Sequence, residues 1–418
     1  MSKKTILIYD DDRQRAGKFK CKLEKGLDKA NQSGNFNVVS LKHGEFQNAI
    51  KALEQRRMKF RNIKDIYPKA NSPDGAENID NASMFIIDYD LLGSQVEESP
   101  TGSLTGEIIA YLVRCFSKCK LIIGLNQYGN NPFDLTLRGG LDSFADLNLG
   151  DQQLGNPNLW MGDWKDSEHE YRPWYWPNLA DSIHNFDKRI EEIQRKLDEP
   201  ICEVLDFDSE VFQLLPREIV QFIGQYEGKE PFQTTFREFV TKSGNGLRSK
   251  DEKKVVNGIN DQVLVRVCAA RISKWLEQLV LPEQDILVDA PHLVSRYPSL
   301  IKDDEDKIET WNETARLVAY ANLGLDTDSI EPFRFKKSYW ISRPVWFWDK
   351  LRECEGIKEV TEPWLTAIPD WAFCEDTSCF HEQADCKEFL ADIASPFTRR
   401  FVRNFDRVNY QPRVRFSL

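Results

Sequence analysis

Three aspartates stand where short apolar runs end. Thr5–Tyr9 (TILIY) is followed at once by Asp10 and Asp11, with Asp12 next, and Met84–Ile87 (MFII) is followed by Asp88. Runs this short and this apolar suit buried strands better than helices. In an open α/β sheet, ligands bind beyond the carboxyl ends of the strands. Neighbouring strands would therefore bring Asp10, Asp11 and Asp88 into one pocket. Crowded carboxylates raise one another's pKa unless a cation lies between them, and an all-oxygen set suits Mg2+. The chemistry that follows is metal-assisted phosphoryl transfer, with Asp88 as the nucleophile. The plainer reading is that these aspartates cap helices and end strands.

Other groups offer less. Cys374, Cys379, His381 and Cys386 are spaced C-x4-C-x-H-x4-C. Zinc takes such ligands, but its structural sites favour C-x2-C knuckles, and free thiols are the competing reading. Gly244, Asn245 and Gly246 precede Arg248 and Lys250, yet the GxxxxGK[ST] spacing of a phosphate-binding loop is absent, so a surface turn is expected. His43, His169, His184 and His292 are scattered, and no Ser-His-Asp order, nucleophile elbow or HExxH is visible.

The elements that must position the aspartates alternate in type. Arg13–Leu27 places Ala16, Phe19, Leu23 and Leu27 at helical spacing, and Phe36–Leu41 reads as a second strand. Phe46–Leu53 and Leu104–Phe116 are helical faces, Leu121–Leu125 is a fourth strand, and Leu141–Leu147 is expected as a fifth. This alternation predicts an α/β fold: an N-terminal doubly wound, five-stranded parallel sheet over residues 1–150. Residues 151–200 form a connector with Trp160, Trp164, Trp174 and Trp176, then a linking helix over Leu179–Leu197 that stops before Pro200. The tryptophans suit either packing or a binding surface. Residues 201–418 are expected to be mainly helical, with apolar stripes over Ser209–Phe222 and Val263–Val280.

Residues 6–148 resemble the receiver domain of two-component response regulators. ILIYDDDRQRAGKFKCKLEKGL resembles the family's first strand, acidic pair and first helix, with Asp10 and Asp11 on the pair. FIIDYDLLG matches the strand that carries the phosphorylated aspartate, which places that role on Asp88. TGEIIAYLVR resembles the following helix, and GGLDSFADLN the segment leading into the last strand. The resemblance implies a flavodoxin-like strand order, a Mg2+ site at Asp10, Asp11 and Asp88, and a signalling role through protein partners. Two departures weaken the phosphoryl switch. Leu125 or Asn126 stands where the family has Ser or Thr, and Asp146 or Leu147 where it has Lys. A loop-rich insertion (Lys59–Asn81) and a second loop (Ser94–Ser103) also interrupt the pattern. A degenerate, or pseudo-, receiver is the expectation.

Composition bounds the rest. The chain has 418 residues, enough for two or three domains at about 150 residues each. Lys plus Arg is 56 against 67 Asp plus Glu, a net charge of -11, which argues against a generally basic nucleic-acid binder. Hydrophobic residues at 41% can build ordinary cores. Nine scattered cysteines suit a reducing compartment. Met1–Lys4 leads straight into a strand-like run, and no apolar run is long enough to span a bilayer, so a cytoplasmic protein is expected. Basic charge concentrates at the C-terminal end, where Arg399, Arg400, Arg403, Arg407, Arg413 and Arg415 interleave with Phe397, Phe401, Phe405, Tyr410 and Phe416. A second stretch holds Arg334, Lys336, Lys337, Trp340 and Arg343. Arginine among aromatics can hold phosphate and stack on bases; it can equally dock a terminal segment through its Phe residues. Two functions follow. One is a regulatory protein whose receiver-like domain serves protein partners, a second copy of the chain included. The other is a nucleic-acid-binding effector acting through the basic-aromatic segments, for example in host defence.

Overall fold

The computed structural model describes residues 3–59, 66–68, 72–89, 91, 105–126, 143–163, 171–215, 217–224, 230–242, 260–284, 286–302, 306–354, 370–389 and 400–404. These fall into two units. The first comprises Met1–Pro132, Gly139–Trp160 and Ala180–Lys274; the second comprises Phe133–Arg138, Met161–Leu179 and Trp275–Leu418. The boundary therefore falls within the tryptophan connector, after Trp160, and again at the start of the linking helix.

The first unit is built on strands β1 (Lys4–Tyr9), β2 (Phe36–Ser40), β3 (Met84–Asp88), β4 (Leu121–Asn126) and β5 (Leu147–Gly150). Their order is β2-β1-β3-β4-β5, and every pairing is parallel, as a flavodoxin-like sheet requires. All five residues of β3 are buried, because a parallel sheet is covered on both faces. Helix α1 (Arg13–Lys29) buries Ala16, Phe19, Leu23 and Leu27, the stripe its spacing predicts. Asp12 caps it, its carboxylate accepting from the backbone N–H groups of Gln14 and Arg15. Gly26 on α1 is needed for a close approach: a Cβ there would lie 2.7 Å from the carbonyl oxygen of Gly155.

The fifth strand begins later than expected. It spans Leu147–Gly150 rather than Leu141–Leu147, and Leu141 lies outside the described residues. Ser143 and Asp146, just ahead of it, make side-chain contacts of their own. The Ser143 hydroxyl donates to Glu107 Oε2 at 2.7 Å, and the Asp146 carboxylate accepts from the Ile122 N–H and pairs with Arg114. The loop Ser94–Ser103 and the turn Gly244–Lys250 lie outside the described residues, as does part of the insertion Lys59–Asn81.

Helix α2 (His43–Lys59) is anchored by a buried cation. Arg56 donates to both oxygens of Asp74, to both oxygens of Asp80 and to the Phe116 carbonyl, so it ties α2 to the short helix α3 (Glu77–Asp80) and to the end of α4 (Gly106–Phe116). Helix α5 (Leu179–Arg195) packs within this unit. Its Phe186 lies under the guanidiniums of Arg114 and Arg266, and Asp187 pairs with Lys120.

The second unit is mainly helical but carries two small sheets. Strands β6 (Leu287–Asp289) and β7 (Val345–Phe347) form an antiparallel pair. Strands β8 (Trp371–Cys374), β9 (Cys379–Glu382), β10 (Lys387–Phe389) and β11 (Arg400–Val402) form a sheet of order β10-β11-β8-β9. Trp174 and Trp176 are buried here, Trp160 is buried in the first unit, and Trp164 lies outside the described residues. The described tryptophans of the connector are therefore core. Among the described residues, no helix is long and apolar enough to cross a membrane.

Replacing Arg56 by Met should cost about 3 kcal/mol of stability, since it strands two carboxylates in a largely dry site. Burial pushes the Asp74 carboxyl up, but its bonds to Arg56 outweigh that and hold it below its ordinary value of 3.8. A depressed carboxyl adds stability above its ordinary value that is lost on acidification. The variant should therefore lose stability at neutral pH and show a flatter decline below about pH 4. Urea denaturation across pH checks this; a midpoint unchanged at neutral pH would refute it.

Candidate functional site

The sheet order decides the geometry. Strands β1 and β3 are neighbours, with Tyr9 opposite Ile87, so the residues that follow them emerge side by side. Ligand oxygens of Asp10, Asp11 and Asp88 lie within 4.8 Å of one another. The Asp10 and Asp88 side chains are almost fully buried, and Asp11 is 14% exposed.

A cation already sits among them. Arg15, on the first turn of α1, donates from Nε to Asp10 Oδ2 at 2.8 Å. Its Nη2 lies 2.8 Å from Asp10 Oδ1, 2.8 Å from Asp11 Oδ1 and 3.3 Å from Asp88 Oδ2. One guanidinium nitrogen thus reaches all three carboxylates. The helix does not favour it there, because a positive charge near a helix N-terminus opposes the macrodipole. The carboxylates hold it in place. Its hydrogen bond to Asp10 raises the Arg15 pKa further, so it stays protonated. The Asp10 carboxyl sits above its ordinary value, chiefly through burial; Arg15 and the Asp12 N–H pull it back, and the hydrogen bond with Asp11 adds a smaller rise. Burial, rather than the expected mutual repulsion, dominates.

No family model matches the chain, nor does any curated protein or solved structure. The site must therefore be read from its own chemistry.

The donor set alone would suit Mg2+, as three carboxylates supply hard oxygen ligands. The occupied geometry does not. An ion bound at about 2.1 Å from these oxygens would overlap Arg15 Nη2, which bonds to the same atoms. Arg15 and a metal ion would therefore compete for the same carboxylates.

Among the described residues, the β4 flank of the pocket is apolar. Leu125, fully buried, pairs with Asp88 across the sheet and offers no hydroxyl. Residues Leu149 and Gly150 of β5 lie beside Leu125 and Asn126. Asp146 is at the start of β5 beside Ile122, where Arg114 neutralises it, and it adds no anion to the pocket. Lys22 bonds to Asp151 at 3.3 Å. Tyr89 closes the β4–β5 side. Its hydroxyl lies 2.9 Å from Glu107 Oε2 and Asn148 Oδ1 and 2.8 Å from Ser143 Oγ, and only a glycine at position 124 leaves room for its ring.

The described arginines of the C-terminal segment face inward. Arg400 is 2% exposed; it pairs with Glu375, and its Nη1 donates to the Pro282 carbonyl at 2.8 Å. Glu375 Oε1 also lies 3.5 Å from His292 Nε2, and His292 Nδ1 bonds to Asp289 at 2.6 Å. Arg403 Nη1 donates to His381 Nδ1 at 2.7 Å. Arg399, Arg407, Arg413 and Arg415 lie outside the described residues. In the second basic stretch, Arg343 is buried and paired with Asp289, and Arg334 stacks 3.7 Å over Tyr320. The zinc constellation does not assemble: among the described residues, Cys374, Cys379, His381 and Cys386 bring no three ligand atoms together.

Arg15→Ala should lower stability by about 2–3 kcal/mol, below the value for a fully buried pair because a third of the Arg15 side chain meets solvent. It should also open the pocket to metal, so that millimolar MgCl2 raises the melting temperature of the variant but not of the wild type. Thermal denaturation with and without MgCl2 checks both; an equal rise in the wild type would overturn the assignment of Arg15 as the resident cation.

Proposed function

We propose that this is a regulatory protein in which a degenerate receiver-like domain serves protein–protein interaction, coupled to a mainly helical C-terminal output region. One observation carries the reading: the Arg15 guanidinium contacts Asp10, Asp11 and Asp88 together. Phosphoryl transfer depends on a positioned metal and on cations that receive charge as it develops. Here the metal position is filled by an arginine, and the neighbouring strand ends carry Leu125, Leu149 and Gly150. A carboxylate already engaged by Arg15 is a poor nucleophile. The domain then acts through its shape and surface, with a protein partner, a second copy of the chain among the candidates, in the cytoplasm. The alternative, a nucleic-acid-binding effector, has less support, because Arg400 and Arg403 engage groups within the protein.

The full chain incubated with acetyl phosphate and Mg2+ should show no added phosphoryl group by intact-mass measurement. A substantial phosphoryl adduct that disappears in Asp88→Asn would overturn the proposal. A partner recovered with the tagged protein should survive nuclease treatment; loss of all recovered material on nuclease treatment would favour the alternative.

A further inference from the structure

The β8–β11 sheet holds two thiols in contact. Cys374 ends β8 and is fully buried, packed with Ala372 and Phe401. After β9 the chain makes a single turn, Gln383–Asp385, and crosses towards β10 at the other side of the sheet. Cys386 ends that turn and lies over Cys374. The two sulfurs are 3.1 Å apart, and the Cys386 thiol also donates to the Glu382 carbonyl at 3.2 Å. Both cysteines are reduced, Cys374 buried and Cys386 half-exposed. A disulfide needs about 2.05 Å between sulfurs, so closure requires a movement of roughly one ångström.

We propose that Cys374 and Cys386 form a reversible dithiol–disulfide pair, oxidised by small-molecule disulfides such as glutathione disulfide. The half-exposed Cys386 reacts first. Its thiolate attacks one sulfur of glutathione disulfide, forming a mixed disulfide and expelling one glutathione thiolate. The Cys374 sulfur then attacks Cys386 Sγ, closing the protein disulfide and expelling the second glutathione thiolate. Two protein thiols are oxidised, one glutathione disulfide is reduced to two thiols, and the two protein S–H protons pass to the released thiolates.

The surroundings favour a redox pair over half of a zinc site. A guanidinium can only donate, so His381 Nδ1 accepts from Arg403; Nε2 then carries the hydrogen and donates to Thr377 Oγ1 at 3.0 Å. Both ring nitrogens are engaged. Burial raises both thiols, Cys374 strongly. For Cys386, burial is opposed by the Cys374 thiol and by the nearby Arg403 charge. Cys386 is therefore the nucleophile, and oxidation should quicken as pH rises. The bond would have a structural consequence. Strand β11 pairs with β8 on one side and β10 on the other, so a link from β8 to the crossover before β10 would clamp the strand from which the arginine-rich C-terminal sequence continues.

The test uses the full chain, equilibrated with glutathione disulfide, acid-quenched, alkylated and mapped by mass spectrometry. The expected result is the loss of alkylation at Cys374 and Cys386 and a Cys374–Cys386 linked peptide that dithiothreitol removes. In Cys374→Ser, the reaction should stop with one glutathionyl group on Cys386. In Cys386→Ser, Cys374 should stay alkylatable only after unfolding, which keeps the test informative if the buried variant fails to fold. Undiminished alkylation of both thiols while the exposed Cys21 becomes glutathionylated would overturn the proposal. So would a zinc ion retained on the reduced protein in native mass spectrometry.

Discussion

The ion pair between Arg15 and three carboxylates is the constraint on which the first unit depends. Placing β1 beside β3 is good for the core, since Ile6, Ile8, Ile86 and Ile87 are buried together. The same adjacency forces Asp10 and Asp88 into a space with almost no water. Isolated buried carboxylates are costly, and removing one member of a buried pair costs more than the pair itself contributes. Arg15 resolves the conflict locally. It comes from the helix that Asp12 caps, so the element directly after the crowded aspartates supplies the cation. Three carboxylates against one guanidinium still leave negative charge in excess, while the Asp10 carboxyl is raised chiefly by its burial.

Much of the sheet is legible in the sequence because its strands are apolar on both faces. TILIY, FNVVS, MFII and LIIGL lie within β1 to β4, and the helical stripe of α1 appears at its predicted positions. The fifth strand lies later than the expected Leu141–Leu147, and the side-chain bonds of Ser143 and Asp146 that precede it are invisible to periodicity. The three aspartates were legible as a cluster. Arg15 is less conspicuous, although an arginine four residues after Asp11 on a helical start is a recognisable spacing.

The second unit hides its logic better. Its strands are three or four residues long, too short for alternation to register against helical neighbours. Its buried charges pair across long stretches of chain: Asp289 with Arg343, Glu375 with Arg400, and His292 between the two acids. Burial pushes the Asp289 carboxyl up, yet His292 and Arg343 hold it down at about 2. Composition registers such arginines as a basic patch, whereas the fold spends them on interior acids. The thiol pair is hidden in the sequence for a related reason. Spacing invites comparison with zinc knuckles, while the crossing of the chain over β8 brings together only the first and last cysteines of the motif.

The close contact between Gly26 and Gly155 has a consequence for how this domain could be re-engineered. Past β5 the backbone turns directly onto α1, carbonyl against α-carbon, with no side chain between. That junction behaves as a seam. Extra residues inserted between 150 and 156 would have to bulge away from the helix and break the seal, and a larger residue at either glycine would prise it apart. A circularly permuted or split version would do better to place its new ends elsewhere on the rim, leaving this stretch intact.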